Sequence, residues 1–146
     1  MAKYKQGKYT PRYPAKYDGN PTEIIYRSSW EYRYMHWLDN NIQVLKWSSE
    51  TTVIPYVSPK DSRFHRYFVD FKMTLKNNQG KTKTYLVEVK PEVECSPPKV
   101  PKRQTPAYIN RVMTYGVNQA KWKAAELFAN QRGWTFVVIT ERHLDL

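Results

Sequence analysis

Cysteine is nearly absent from this 146-residue chain: Cys95 stands alone, which excludes an intrachain disulfide and any zinc site built on several thiolates. Histidine is almost as sparse. His36, His65 and His143 show no metal-ligand spacing, so zinc is not the expected metal. No apolar run reaches about 18 residues and no signal-peptide pattern occurs, so the expectation is a soluble chain made in a cytoplasm, with no membrane partner. Acidic residues are the third shortage: 13 Asp and Glu stand against 24 Lys and Arg, a formal net charge of +11. Such an excess points to a polyanionic partner, by default nucleic acid. The length fits one domain with a real hydrophobic core.

Because acids are scarce, a place where two of them converge is informative. Arg66-Tyr67-Phe68-Val69-Asp70-Phe71, a turn at Asn78-Gln79-Gly80, and Tyr85-Leu86-Val87-Glu88-Val89-Lys90 read as a β-hairpin, with aromatic and β-branched flanks around a Gly-containing loop. Side chains alternate across a strand, so Glu88 and Lys90 share a face. Centring the hairpin near Gln79 puts Asp70 opposite Glu88, with Cβ atoms roughly 4.5–5.5 Å apart. Two carboxylates that close repel unless a cation lies between them, and a divalent metal would satisfy the pair with Lys90 beside it. The opposite face, Tyr67, Val69, Phe71, Tyr85, Val87 and Val89, is apolar or aromatic throughout and is expected to pack on a core. A Glu-x-Lys tripeptide alone is ordinary on a solvent-facing hairpin. The apolar neighbourhood and the second acid give it weight.

Residues 1–20 interleave Lys3, Lys5, Lys8, Arg12 and Lys16 with Tyr4, Tyr9, Tyr13 and Tyr17, and contain no acid before Asp18. Gly7, Pro11 and Pro14 argue against regular structure, so this stretch reads as a basic arm for phosphates or a protein partner, ahead of a single domain at 21–146. Residues 28–40 read as a first helix, with Trp30, Tyr34, Trp37 and Leu38 on its buried stripe. Ser28 with Glu31 three residues on is a capping-box pattern, which by itself accounts for Glu31 and competes with a role for it in the acidic pocket. Two short apolar runs follow, Ile42–Leu45 and Thr52–Val57, the second read as an edge strand because Pro55 cannot donate to a ladder. Residues 91–106 hold five prolines with Lys99, Lys102 and Arg103 and read as an extended basic crossing loop. Thr105-Pro106 starts a second helix, interrupted near Gly116 and closed at Gly133, with Ala120, Ala124, Leu127 and Phe128 buried. Trp134–Thr140 is a final short strand, which completes a βαβ unit.

The fold class is therefore α/β, in the order αβββαβ, with a mixed central sheet flanked by helices. That order, with an acid on the second strand and Glu-x-Lys on the third, resembles the restriction-endonuclease-like PD-(D/E)xK nucleases. The phrases Tyr26-Arg27-Ser28-Ser29-Trp30-Glu31, Trp47-Ser48-Ser49-Glu50, Ile54-Pro55-Tyr56, Arg66-Tyr67-Phe68-Val69-Asp70, Glu88-Val89-Lys90-Pro91 and Asn118-Gln119-Ala120-Lys121-Trp122-Lys123-Ala124-Ala125 are similar, in order and spacing, to the head-completion nucleases of T4-like tailed phages. Val69 stands where the name-giving proline would be.

The resemblance implies a magnesium-dependent DNA endonuclease, with Mn2+ as a substitute metal, that acts after packaging and before tail attachment. Its partners would be DNA and head or portal-vertex proteins, in the host cytoplasm during assembly or in the virion head. By the same resemblance Asp70 and Glu88 would ligate Mg2+ together with the Val89 backbone carbonyl, and Lys90 would position or deprotonate the attacking water. Glu31 matches the first-helix acid, and Gln119, Lys121 and Lys123 match a helix that contacts phosphate, with the choice among the three left open. Many relatives act as dimers, and a homodimer stays open here. Two other readings remain at this stage: a non-catalytic virion or DNA-binding head protein on the same fold, and a nuclease of transposition or recombination.

Overall fold

In the computed structural model, which describes residues 6–144, the elements in chain order are β1 (Gly7–Lys8), β2 (Ile25–Tyr26), α1 (Ser29–Asn40), β3 (Val44–Ser49), β4 (Val53–Val57), β5 (Phe64–Phe68), β6 (Phe71–Lys76), β7 (Thr82–Val89), α2 (Pro106–Gln131) and β8 (Thr135–Ile139). Short 3-10 helices occupy Pro14–Lys16 and Glu92–Cys95. The central sheet has the order β3-β6-β7-β8, antiparallel across its first two interfaces and parallel across the last. The αβββαβ core is thus α1-β3-β6-β7-α2-β8, a mixed sheet with helices on both sides and a restriction-endonuclease-like topology.

Both faces of β7 are covered, as expected for a central strand with a near-continuous apolar run. Val87 joins Tyr34, Met35 and Leu38 of α1 in one core with Trp47, Phe71 and Met73. Its neighbour Leu86 joins Ala125 and Ala129 of α2 in a second core with Ile54, Tyr56, Tyr67 and Val69. The small side chains of Ala125 and Ala129 let α2 lie close on β4 and β8. Leu127, expected on that face, is instead 58 % exposed, and on α1 Trp37 is 42 % exposed while Met35 is fully buried.

The hairpin register agrees with the sequence reading: Phe71 pairs with Val87 and Lys76 with Thr82, so one step further sets Asp70 against Glu88. The strand expected at 66–71 differs. It is two strands, because β5 pairs with β4 in a separate two-stranded ribbon and β6 begins only at Phe71. Between them the Val69 amide donates to the Thr52 carbonyl and the Asp70 carbonyl accepts from the Glu50 amide. The shift has a packing cause: Tyr67 and Val69 face the α2 core, whereas Phe71 faces the α1 core, so these three do not share a face. Thr52–Val57 likewise belongs to the ribbon and not to the central sheet.

Helix ends follow their sequence signals. The Ser28 hydroxyl accepts from the Glu31 amide and the Thr105 hydroxyl from the Tyr108 amide. α2 runs through Gly116 without a break. At its end the Gly133 amide donates to the Asn130 carbonyl and the Trp134 amide to the Ala129 carbonyl, a Schellman pair that needs Gly133 at φ +72.

The N-terminal segment departs most from expectation. Residues 6–20, expected as an irregular arm, contribute a strand and several side chains to the packing of the domain. β1 pairs with β2, Tyr9 is buried, and the Tyr17 hydroxyl accepts from the Ser49 amide. Asp39, fully buried at the end of α1, accepts from the Tyr9 hydroxyl and the Arg12 and Tyr13 amides at 2.6–3.0 Å. The Lys16 ammonium donates to the Leu38, Asp39 and Asn41 carbonyls, closing the C-terminus of the helix. Lys8 is exposed on β1, and Lys3 and Lys5 lie outside the described residues. No described helix is long and apolar enough to cross a membrane.

Candidate active site

Asp70 reaches its position because β5 stops at Phe68 and β6 starts at Phe71, leaving it at the corner between two sheets. Its Oδ2 accepts from the Val89 amide at 2.8 Å, which ties the corner to the end of β7. Glu88 is the preceding residue of β7 and is 6 % exposed. Its Oε1 accepts from the Tyr67 hydroxyl at 2.7 Å, and its Oε2 lies 3.6 Å from the Lys90 ammonium. Glu31 enters from the first turn of α1. A hollow of about 250 Å³ is lined by Arg27, Glu31, Asp70, Glu88, Lys90 and Glu94, among others. A larger hollow of about 730 Å³, between α1 and the C-terminal turn, is lined by Tyr32, Trp37, Met73 and His143 and holds no carboxylate. Chemistry, not size, singles out the smaller one.

The electrostatics describe acids held together at a cost. Burial pushes the Asp70 carboxyl well above the ordinary carboxylate range, and the charges of Glu88 and Glu31 push it further; the Val89 amide and Lys90 offset only part. Glu31 is raised as well, first by burial, against the pull of the Arg27 amide. The Glu31 side chain accepts from that amide at 3.3 Å while its own amide is capped by Ser28, so it serves the helix end and the hollow together. Burial, then the charge of Glu88, raises the Tyr67 phenol far above its usual range, which keeps it protonated and a donor.

Among the described residues, no three His, Cys, Asp or Glu side chains are grouped closely enough to enclose an ion. The donor set still fits magnesium. Mg2+ takes hard oxygen ligands, keeps several waters and needs only one or two carboxylates, which Asp70 and Glu88 supply. A dication would relieve the repulsion that raises Asp70.

Of the three helical candidates for phosphate, one stands against the Tyr67 ring, whose hydroxyl meets Glu88. The Lys121 ammonium lies 5.6 Å from the centre of the Tyr67 ring and 5.8 Å from that of Tyr56. Gln119 and Lys123 are exposed on other sides of α2. Two further features escaped the sequence reading. Tyr67, a core aromatic by its pattern, stands three residues before Asp70, and its hydroxyl reaches Glu88 across the hairpin. Glu50, which had no assignment, pairs with Arg27 through both oxygens at 2.8 and 3.1 Å, from a left-handed backbone conformation at φ +57.

Two comparisons with known proteins find relatives of this chain. Residues 41–141 match the family described as TnsA-like endonuclease, N terminal, a span that contains Asp70, Glu88 and Lys90. The head completion nuclease of Enterobacteria phage T4 is 40 % identical over 139 residues, which are 92 % of this chain and 90 % of that protein. No solved structure matches the chain.

Proposed function

Because the chain belongs to the TnsA-like endonucleases, and over almost its full length to the head-completion nucleases of T4-like phages, we propose that it cuts DNA with Mg2+ held by Asp70 and Glu88. It is a nuclease of phage head completion. The observation that carries the site assignment is the convergence of the half-buried Asp70 and the buried Glu88 carboxylates at one corner, with Lys90 3.6 Å from Glu88.

Asp70 and Glu88, with the Val89 carbonyl, would hold the metal. When bound it supplies Lewis-acid polarisation of the phosphate and a water of lowered pKa. The chain's own residues supply the order around it. Val89 fixes Asp70 through its amide, and Tyr67 fixes Glu88 through its hydroxyl, so each carboxylate keeps an oxygen for the metal. Lys90 orients the attacking water beside Glu88. Glu31 faces the same hollow and takes the water's proton or holds an outer water. Attack by that water forms the new P–O bond as the bond to the leaving oxygen breaks. Lys121 is the phosphate contact of α2, because it alone of the three candidates stands against the Tyr67 ring. DNA and the unfinished head are the partners, and the action takes place after packaging and before tails attach.

Complementation of unfinished heads tests whether catalysis is what head completion needs. Heads assembled without this protein should accept tails after addition of the wild type, with the Glu88→Gln protein at least about 100-fold poorer. Equal restoration by Glu88→Gln would overturn the catalytic reading and leave a structural role.

A further inference from the structure

The ribbon of β4 and β5 has two unlike faces. Ile54, Tyr56 and Tyr67 point inward and are buried on α2. The outward face pairs Val53 with Phe68, Pro55 with Arg66 and Val57 with Phe64, and every one of these six residues is exposed. Phe64 is 78 % exposed, and Phe68 46 %. Aromatic rings this open on a two-stranded ribbon are not explained by packing, and clustered exposed apolar surface marks an interaction site.

We propose that this outward face is a stacking platform for unpaired nucleotides, which directs the nuclease to branched or frayed DNA. The proposal rests on the DNA-cleavage reading above and names the substrate class of that same site. Three observations favour a DNA strand over a protein. The first is charge: Arg66 lies on the ribbon and Lys60 and Arg63 in the turn that joins its strands, and the one acid there, Asp61, is engaged by the His65 ring at 2.8 Å and the Arg63 amide at 3.0 Å. The second is chemistry, since an exposed ring offers a face to any base, and the Arg66 guanidinium already lies 5.6 Å from the Phe68 ring, placed to meet a phosphate beside a stacked base. The third is continuity: Phe68 precedes Asp70 by two residues, about 7 Å of extended chain, so a strand on the platform leads to the carboxylates. A second copy of the chain is a poor occupant. It would set these cations against their own copies, and Pro55 removes an amide from the β4 edge that strand addition would use.

Binding measured in EDTA separates this inference from the catalytic one. Fluorescence anisotropy would compare a labelled duplex with a fork of the same sequence carrying two unpaired arms, for wild type, Phe64→Ala, Phe68→Ala and Phe64→Trp. Cleavage of the duplex in Mg2+ by the same preparations reports independently on the nuclease. The expected result is a preference of wild type for the fork of about tenfold, lost in both alanine variants and kept in Phe64→Trp, with duplex binding and duplex cleavage unchanged by Phe64→Ala. Equal binding of fork and duplex by wild type would overturn the platform, as would equal losses on both DNAs in Phe64→Ala. Unchanged fork binding by Phe64→Ala with loss of association with heads would overturn it too, and assign the face to protein.

Discussion

Glu88 is held from two directions, by a phenol on one oxygen and an ammonium near the other, and that determines what it has left to offer. Tyr67 is a positioning residue in this account, since it acts on the reacting atoms only through Glu88. Tyr67→Phe keeps the ring in the α2 core and removes only the hydroxyl, so the fold should lose about 1 kcal/mol. Cleavage at saturating DNA should fall about tenfold, and the Mg2+ concentration for half-maximal rate should rise, because a freed Glu88 side chain must be ordered by the metal itself. A purely structural hydroxyl would leave the Mg2+ requirement where it was, and that titration is the check. The legible part at this scale was the pair Asp70 and Glu88, found by strand register alone. The supports were not legible, because a tyrosine on an apolar face has a sufficient explanation in packing.

At the scale of elements, the termini of the helices were readable because their signals are local. Ser28 with Glu31, Thr105 with Pro106, and Gly133 each act within a few residues of chain. The break between β5 and β6 was not readable. Apolar and polar residues keep a period of two straight through Val69-Asp70, and nothing local announces that Tyr67 and Phe71 serve different cores. Only the presence of two helices, one on each side, makes the strand change its packing partner there. That same break leaves the half-buried Asp70 carboxylate at a corner and frees β5 to form the ribbon, so one backbone feature underlies both the proposed cleavage site and the proposed platform. The interior of α2 differs from its periodicity for a related reason: a period of 3.6 admits Leu127 as readily as Ala125, and the close approach of the ribbon selects the smaller side chain.

For the whole molecule, the basic N-terminal segment turned out to be structural from residue 6 onward, through a residue distant in sequence. Asp39 gathers the Tyr9 hydroxyl and the Arg12 and Tyr13 amides, and Lys16 closes the end of α1. Such long-range contacts leave no periodicity to read. Asp39→Ala would strand three buried or half-buried donors and should cost about 3 kcal/mol, seen as a lowered denaturant midpoint without a compensating gain in DNA affinity. Removal of residues 1–20 should unfold the protein by the same route, whereas a phosphate-binding arm would be lost with the fold intact. The net charge of the whole chain, +11, would favour the gathering of DNA around the acids.

The central claim, that Asp70 and Glu88 cut DNA with a divalent metal, is tested most directly by cleavage of linear DNA in Mg2+, Mn2+ or EDTA, with wild type beside Glu88→Gln. Circular dichroism of both proteins establishes that they are folded. Cutting is expected in either metal and none in EDTA, with a rate at least about 100-fold lower for a Glu88→Gln protein of unchanged melting temperature. Cutting in EDTA, or at the wild-type rate by Glu88→Gln, would contradict the claim.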